Sequence, residues 1–224
     1  MPVKKLAIKL EHVKKVYNGQ GKPLSVFEDL NLEVYKGEFL AVFGPTGCGK
    51  TTLLNLIAGL DRPQAGKIYV DGVEISSMPE GKLAEFRRKR LGVVFQTNNL
   101  IPSLTVFENV ELPLALNGIA KSERKRRVEE VLKAFWISNY ADRKVSTLSV
   151  GECRMVSLAR AMVTDPDIVL LDEPTDFLDA LTVDLMIASL RGKLMEGKTI
   201  VATTHRGRLT RVAERVVRLK KRMP

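Results

Sequence analysis

The eight residues GPTGCGKT, Gly44 to Thr51, constrain this chain more than any other feature. They match the pattern Gly, four residues, Gly-Lys, then Ser or Thr, and their flanks fit it. Phe39 to Phe43 is apolar throughout, as a strand buried on both faces must be. From Lys50 to about Gly59, Leu53, Leu54, Ile57 and Ala58 share one helical stripe. A strand, a glycine loop and a helix in that order let the backbone curl, so that successive N–H groups point inward at phosphate oxygens. The helix N-terminus adds positive field. Lys50 is placed to reach β- and γ-phosphates, and Thr51 to offer its hydroxyl to Mg²⁺. The backbone of Gly44, Pro45, Thr46, Gly47, Cys48, Gly49 and Thr52 completes the cradle. The plainer reading, a glycine turn that happens to precede Lys-Thr, does not account for the flanks.

A phosphate loop needs a carboxylate for the metal. Ile168 to Leu171 is an apolar run that ends in Asp172-Glu173. In open α/β sheets ligands lie beyond the carboxyl ends of parallel strands, which makes Asp172 the Mg²⁺ partner, through water. Glu173 follows at once and is a candidate to polarise an attacking water, which a base must approach to about 3 Å or reach by a relay. The alternative for Glu173 is a solvated acid at a strand end. Three further polar residues mark element ends: Gln96 after Leu91 to Phe95, His205 after Thr199 to Ala202, and Asp179 seven residues beyond Asp172. Singly, such a glutamine reads as a loop residue and such a histidine as structural. Their shared position beyond the sheet edge that carries Lys50 raises both.

The rest of the chain alternates. Leu6 to Leu10 and an apolar stretch around Leu30 to Val34 read as strands, with a turn at Asn18 to Gly21 between them. Asp71-Gly72, between Gly66 to Val70 and Val73 to Ile75, is a hairpin signal. Residues 79–90 read as a charged helix and residues 97–155 as a mostly helical insertion, where Val128, Val131, Leu132 and Phe135 keep helical spacing. A helix over 179–195 and a last strand, Arg215 to Leu219, close the chain. Strands alternating with helices imply an α/β fold with a mostly parallel sheet, here preceded by an N-terminal antiparallel β part. The expectation is a single domain, 1–224, with a helical subdomain at 97–155.

Length and composition agree. The 224 residues are enough for one well-buried domain, and 45% apolar with 28% charged residues is a globular balance that excludes disorder as the main state. Two cysteines exclude a disulfide scaffold. The basic start MPVKK leads into no apolar run of signal-peptide length, and no window approaches 18 consecutive apolar residues. The net charge of +10 is concentrated at Arg87 to Arg90, Lys121 to Arg127 and Arg218 to Arg222. Such runs are usually solvated helix faces; an anionic membrane surface or nucleic acid are the functional readings.

Over essentially its whole length the chain resembles the nucleotide-binding subunits of ATP-binding-cassette transporters, which are P-loop NTPases. The matching pieces are Tyr17 after the first strand, GPTGCGKT, VVFQ ending at Gln96, LSVGE (148–152), IVLLDEP (168–174), the loop around Asp179, and His205. Residues 99–114 and 53–72 look like the branch that includes lipoprotein-releasing, macrolide-efflux and cell-division cassettes. The resemblance implies that Tyr17 stacks on adenine and that Gln96 contacts Mg²⁺ and the attacking water. It makes Glu173 the general base and has His205 hydrogen-bond the γ-phosphate. Ser149 and Gly151 would cap the γ-phosphate held by a second copy, and Asp179 would act across the dimer interface. It further implies ATP and Mg²⁺ as cofactors and an ATP-bound homodimer. The dimer would be docked on an integral membrane permease, at the cytoplasmic face of the membrane. Four residues depart from the pattern: Val150 where a glycine is usual, Met155 where Arg is usual beside Arg154, Arg206 after His205, and Cys48 for a common serine. Val150 is expected to restrict the backbone and crowd the facing nucleotide. Two alternatives stay open: a nucleic-acid or ribosome-associated ATPase of the same superfamily, and a slow or non-hydrolysing regulatory cassette. A single phosphate loop and only 6% aromatic residues argue against nucleic acid.

Overall fold

Residues 5–18 and 23–221 are described in the structure, a computed structural model. Two long strands, β1 (Leu6–Tyr17) and β2 (Leu24–Tyr35), pair antiparallel. Both outrun the strands expected from alternation, because register shifts between Leu10 and Val13 and around Lys15 let β1 bend and continue past the charged residues that break the pattern. Of the turn expected at Asn18 to Gly21, residues 19–21 lie outside the described residues. Next come β3 (Phe39–Phe43), α1 (Lys50–Ile57), β4 (Ala65–Val70), β5 (Val73–Glu74), α2 (Glu80–Arg90) and β6 (Leu91–Val94). The β4–β5 hairpin turns on Asp71 and Gly72, at φ 50° and 77°, the left-handed pair that the Asp-Gly signal demands.

The middle of the chain holds α3 (Val106–Leu116), α4 (Lys121–Ala134), two single 3₁₀ turns (Ser138–Tyr140 and Val145–Thr147) and α5 (Val150–Met162). Helix α5 runs beyond residue 155 and packs on β6, so it joins the helical region to the sheet. The chain ends with β7 (Ile168–Leu171), α6 (Ala180–Met195), β8 (Thr199–Thr204), the short α7 (Gly207–Thr210) and β9 (Arg215–Arg218). Asp179 is the N-cap of α6.

Among the described residues the strands form two sheets. One is four-stranded and antiparallel, in the order β2-β1-β4-β5; the other is five-stranded, β6-β7-β8-β3-β9, with every neighbour parallel. The fold is α/β, as expected. Alternation along the buried strands divides the core. Phe39, Val169, Leu171 and Ala202 pack toward α3 to α6, while Leu40, Val42, Leu170 and Val201 pack toward α1 and the antiparallel sheet. A strand covered on both faces has no polar alternation to show, which is why β3 and β7 read as unbroken apolar runs. Each such buried Leu or Val contributes about 1.5–3 kcal/mol relative to exposure. The arrangement brings the carboxyl ends of β3, β7 and β8 to one edge. No helix among the described residues is long and apolar enough to cross a membrane.

Candidate active site

The loop after β3 curls as its glycines require. Gly49 sits at φ 97°, and a Cβ there would lie 2.6 Å from Val26 Cγ1. At Gly44 a Cβ would lie 2.6 Å from the Leu219 carbonyl oxygen and from Cys48 Sγ. Cys48 is thus buried beneath the loop, a packing role. Lys50 begins α1 and folds back under the loop: its Nζ donates to Gly44 O (2.8 Å) and Pro45 O (3.1 Å) and lies 3.0 Å from Glu173 Oε1.

The strand ends supply the acids. Asp172 leaves β7 with its N–H on Val94 O (2.9 Å); its Oδ2 accepts from Thr51 Oγ1 (2.8 Å) and its Oδ1 from Thr203 Oγ1 (2.6 Å). Glu173 takes φ 45°, a costly value for a residue with a side chain, and this turns its carboxylate back toward Lys50 and His205. Its Oε2 accepts from the His205 N–H (3.1 Å), with His205 Nδ1 at the same distance. Asp176, which sequence reasoning missed, closes the group. It is buried, its Oδ1 has no hydrogen-bond donor among the described residues, and it stands 3.8 Å from both His205 Nδ1 and Arg206 Nε.

Thr203 was missed as well. It is fully buried in β8, donates to Asp172, and accepts from the Glu173 N–H (2.9 Å), so one hydroxyl sets both acids. Its only signal is a pair of threonines ending an apolar strand. Thr203→Val leaves the Glu173 N–H unsatisfied, a penalty of about 1–3 kcal/mol. We expect a lower unfolding midpoint and a loss of ATPase rate on the order of tenfold, with Thr203→Ser restoring both; steady-state phosphate release checks it.

Of the expected residues, Tyr17, Thr46, Gly47, Gly49, Lys50, Thr51, Thr52, Gln96, Glu173 and His205 line one cleft of ≈ 290 Å³. At its far end the Tyr17 hydroxyl donates to Asp61 (2.6 Å). Desolvation and the Asp61 hydrogen bond push the Tyr17 phenol up. Desolvation would raise the Asp61 carboxyl too, but hydrogen bonds from Lys15, Tyr17 and the Arg62 N–H outweigh it and hold it below the ordinary range. Asp61 is therefore charged at neutral pH.

Ser149, Gly151 and Asp179 do not line this cleft. Ser149 caps α5 in a reciprocal box, its Oγ accepting from the Glu152 N–H (3.2 Å) and its own N–H donating to Glu152 Oε2 (2.6 Å). Asp179 caps α6 through Thr182 (3.0 Å to its N–H), and that pairing lowers its carboxyl. The expected backbone restriction at Val150 is corrected. Val150 is the first residue of α5, its φ is not positive, and so the position needs no glycine; its side chain is 56% exposed.

Arg154 and Met155, the pair at which the sequence departs from the family pattern, have separate surroundings. Met155 fills the core. Arg154, buried, donates to Phe95 O and Gln96 O (2.7 Å each), and Arg160 to Asn98 O (3.0 Å) and Asn99 O (2.7 Å). Burial lowers the Arg154 guanidinium while Asp176 and Asp172 act against that. Helix α5 thereby grips the segment that carries Gln96.

The basic runs at 87–90 and 121–127 are largely paired. Arg87 meets Glu80, Lys89 meets Glu85, Arg90 meets Asp71, and Glu123 is held to about 2 by Arg126 and Arg127. Arg222 lies outside the described residues.

Residues 27–176 match the ABC transporter family. An uncharacterized ABC transporter ATP-binding protein of Methanocaldococcus jannaschii, MJ0796, is 39% identical over 95% of this chain and 93% of its own. The ABC transporter ATP-binding protein YtrE of Bacillus subtilis is 42% identical over 84% of this chain and 81% of its own. The solved dimeric structure of MJ0796 superposes with a TM-score of 0.91 at 37% identity, covering 96% of this chain and 94% of that one; a second describes a post-hydrolysis dimer bound to ADP and phosphate. A phosphate loop, the strand-end Glu173 and a histidine in one cleft, with relatives matched along nearly the whole chain, lead to one conclusion: the chain belongs to the ABC transporter family, as a P-loop subunit that binds and hydrolyses ATP.

Proposed function

We propose that this ATPase works as an ATP-closed homodimer that drives an integral membrane permease at the cytoplasmic face of a membrane. The observation that carries it is the division of the expected residues between two places. Lys50, Thr51, Gln96, Glu173 and His205 share one cleft, while Ser149, Gly151 and Asp179 lie outside it. One chain then supplies the phosphate cradle and a second supplies Ser149 and Gly151 over the γ-phosphate, with Asp179 at the seam. The dimeric structures of MJ0796 support this arrangement.

Within the cleft, Lys50 moves from the Gly44 and Pro45 carbonyls to the β- and γ-phosphates. The oxygen donors of Thr51 and Asp172, 2.8 Å apart and both from hard ligands, fit Mg²⁺, with the Gln96 side chain nearby. Bound there, Mg²⁺ supplies charge for the phosphate oxygens. Glu173 takes the proton of the attacking water, and His205 orients Glu173 and hydrogen-bonds the γ-phosphate. Tyr17 is the platform for adenine. The helical subdomain, 97–155 within the single domain 1–224, moves with Gln96 through Arg154. It presents a groove of ≈ 860 Å³, lined by Phe107, Glu111 and Lys121 among others, as the docking surface. Residues 53–72 and 99–114 favour the lipoprotein-release, macrolide-efflux and cell-division branch, and with it export. The test is ATPase activity with and without a reconstituted permease of that class. Stimulation is expected, and a salt-sensitive stimulation by DNA or RNA instead would overturn the reading.

The exposed Val150 side chain, at the residue next to Ser149, crowds the nucleotide of the second copy. Val150→Gly is expected to raise turnover several-fold without changing ATP affinity of the monomer; an unchanged rate would sink the idea.

A further inference from the structure

Tyr17 is fastened from behind. Lys15 is only 4% exposed: its Nζ donates to Asp61 Oδ1 (2.6 Å) and Arg62 O (2.9 Å) and lies 4.5 Å from the centroid of the Tyr17 ring. Asp61 Oδ2 takes the Tyr17 hydroxyl at 2.6 Å, and Asp61 Oδ1 also takes the Arg62 N–H at 2.7 Å. Gln64 binds the Val16 backbone in both directions, Oε1 accepting from its N–H (2.9 Å) and Nε2 donating to its carbonyl (3.0 Å). The Gln64 N–H adds a bond to Lys14 O (2.9 Å). The end of β1 is thus strapped to residues 61–64, just past α1, while the Tyr17 ring stays 38% exposed at the cleft.

A buried ion pair is weak evidence for stability, because a well-packed apolar pair does as well or better. The pair here has a second consequence. It anchors both handles of one aromatic ring: the hydroxyl through Asp61, and one face through the ammonium of Lys15. A ring held at both handles has lost its rotamer freedom before a ligand arrives, and with one face taken by Lys15 a base can stack only on the other. Preorganisation of this kind appears as affinity.

We propose that Lys15 and Asp61 are positioning residues for the base end of the nucleotide, and that this pair sets ATP affinity by holding the Tyr17 ring ready to stack. The inference rests on the reading of Tyr17 as the adenine platform. Tyr17→Phe removes the hydroxyl handle and keeps the ring; Lys15→Met with Asp61→Leu removes both charges together, so that the buried Lys15 position is not left with an unpaired charge. Each change is expected to weaken ATP binding about 3- to 10-fold, and the two combined no further. Tyr17→Ala, which deletes the platform, should cost about 5- to 150-fold, the range for one stacked base.

The experiment is calorimetric titration of wild type and variants with ATP and with tripolyphosphate, which carries no base. Only the ATP affinity should fall. In steady state the Lys15→Met, Asp61→Leu variant should raise KM and leave kcat within about twofold. If Tyr17→Ala binds ATP as wild type does, the platform reading fails and the proposal with it. If Tyr17→Ala weakens binding while Tyr17→Phe and the double variant do not, the socket alone is overturned. Equal losses for ATP and tripolyphosphate would also overturn it, since the damage would then lie in the phosphate loop.

Discussion

Glu173→Gln is expected to hold ATP and almost stop hydrolysing it. The amide keeps the size of the carboxylate, and its oxygen can still face Lys50 Nζ at the 3.0 Å contact. What it loses is basicity. A positioned general base contributes about 10²- to 10⁴-fold, and a fall of that order in steady-state phosphate release is the expected result. The same change removes one negative charge beside the γ-phosphate, so the ATP-bound homodimer should persist. Light scattering in the presence of ATP would show a dimer in the variant where the wild type returns to monomer. Turnover at the normal rate would remove Glu173 as the base.

Lys50→Met is the second large effect, and it acts before any nucleotide binds. Lys50 is buried, and its ammonium serves Gly44 O, Pro45 O and Glu173 together. Methionine fills the space and leaves the Glu173 carboxylate buried without its cation. Breaking a buried pair this way costs about 3–5 kcal/mol. Chemical denaturation of the nucleotide-free protein should report that loss. ATP affinity should fall by at least about a hundredfold, since the loop keeps its N–H groups and loses its charge. The Lys50→Met, Glu173→Gln double variant discriminates between the two consequences. It should recover most of the stability, because neither charge remains, and none of the binding. A double variant as unstable as Lys50→Met would mean that Lys50 supports the loop through the two carbonyls rather than through Glu173.

These effects draw on residues of very different legibility. Lys50, Thr51, Asp172 and Glu173 were readable because each is tied to a local pattern: a glycine loop between strand and helix, or acids closing an apolar run. Thr203 and Asp176 were not. Thr203 reaches Asp172 across 31 residues of chain, and Arg154 reaches Phe95 across 59. No periodicity links such positions, since the first depends on the register of parallel strands joined by long crossovers and the second on how α5 packs against the end of β6. Lys15 illustrates the same limit. In the sequence it is one of two adjacent lysines in a strand; its burial against Asp61, 46 residues away, follows from where β1 passes the end of α1. The sequence overstated one thing as well. Val150 looked like a backbone fault, because a glycine pattern does not say whether it needs a left-handed φ or merely a small side chain, and here the φ is not positive.

By itself, then, the amino-acid sequence determined the phosphate loop, the order of strands and helices, and which strand ends carry acids, because these follow from local backbone freedom and hydrophobic periodicity. The tertiary structure alone decided which acid faces which cation, that Ser149, Gly151 and Asp179 stand outside the cleft holding Lys50, and that the buried Lys15, paired with a half-buried Asp61, backs Tyr17. Those are distances across a sheet, set when separate strands come into register and their alternate side chains are assigned to one face or the other.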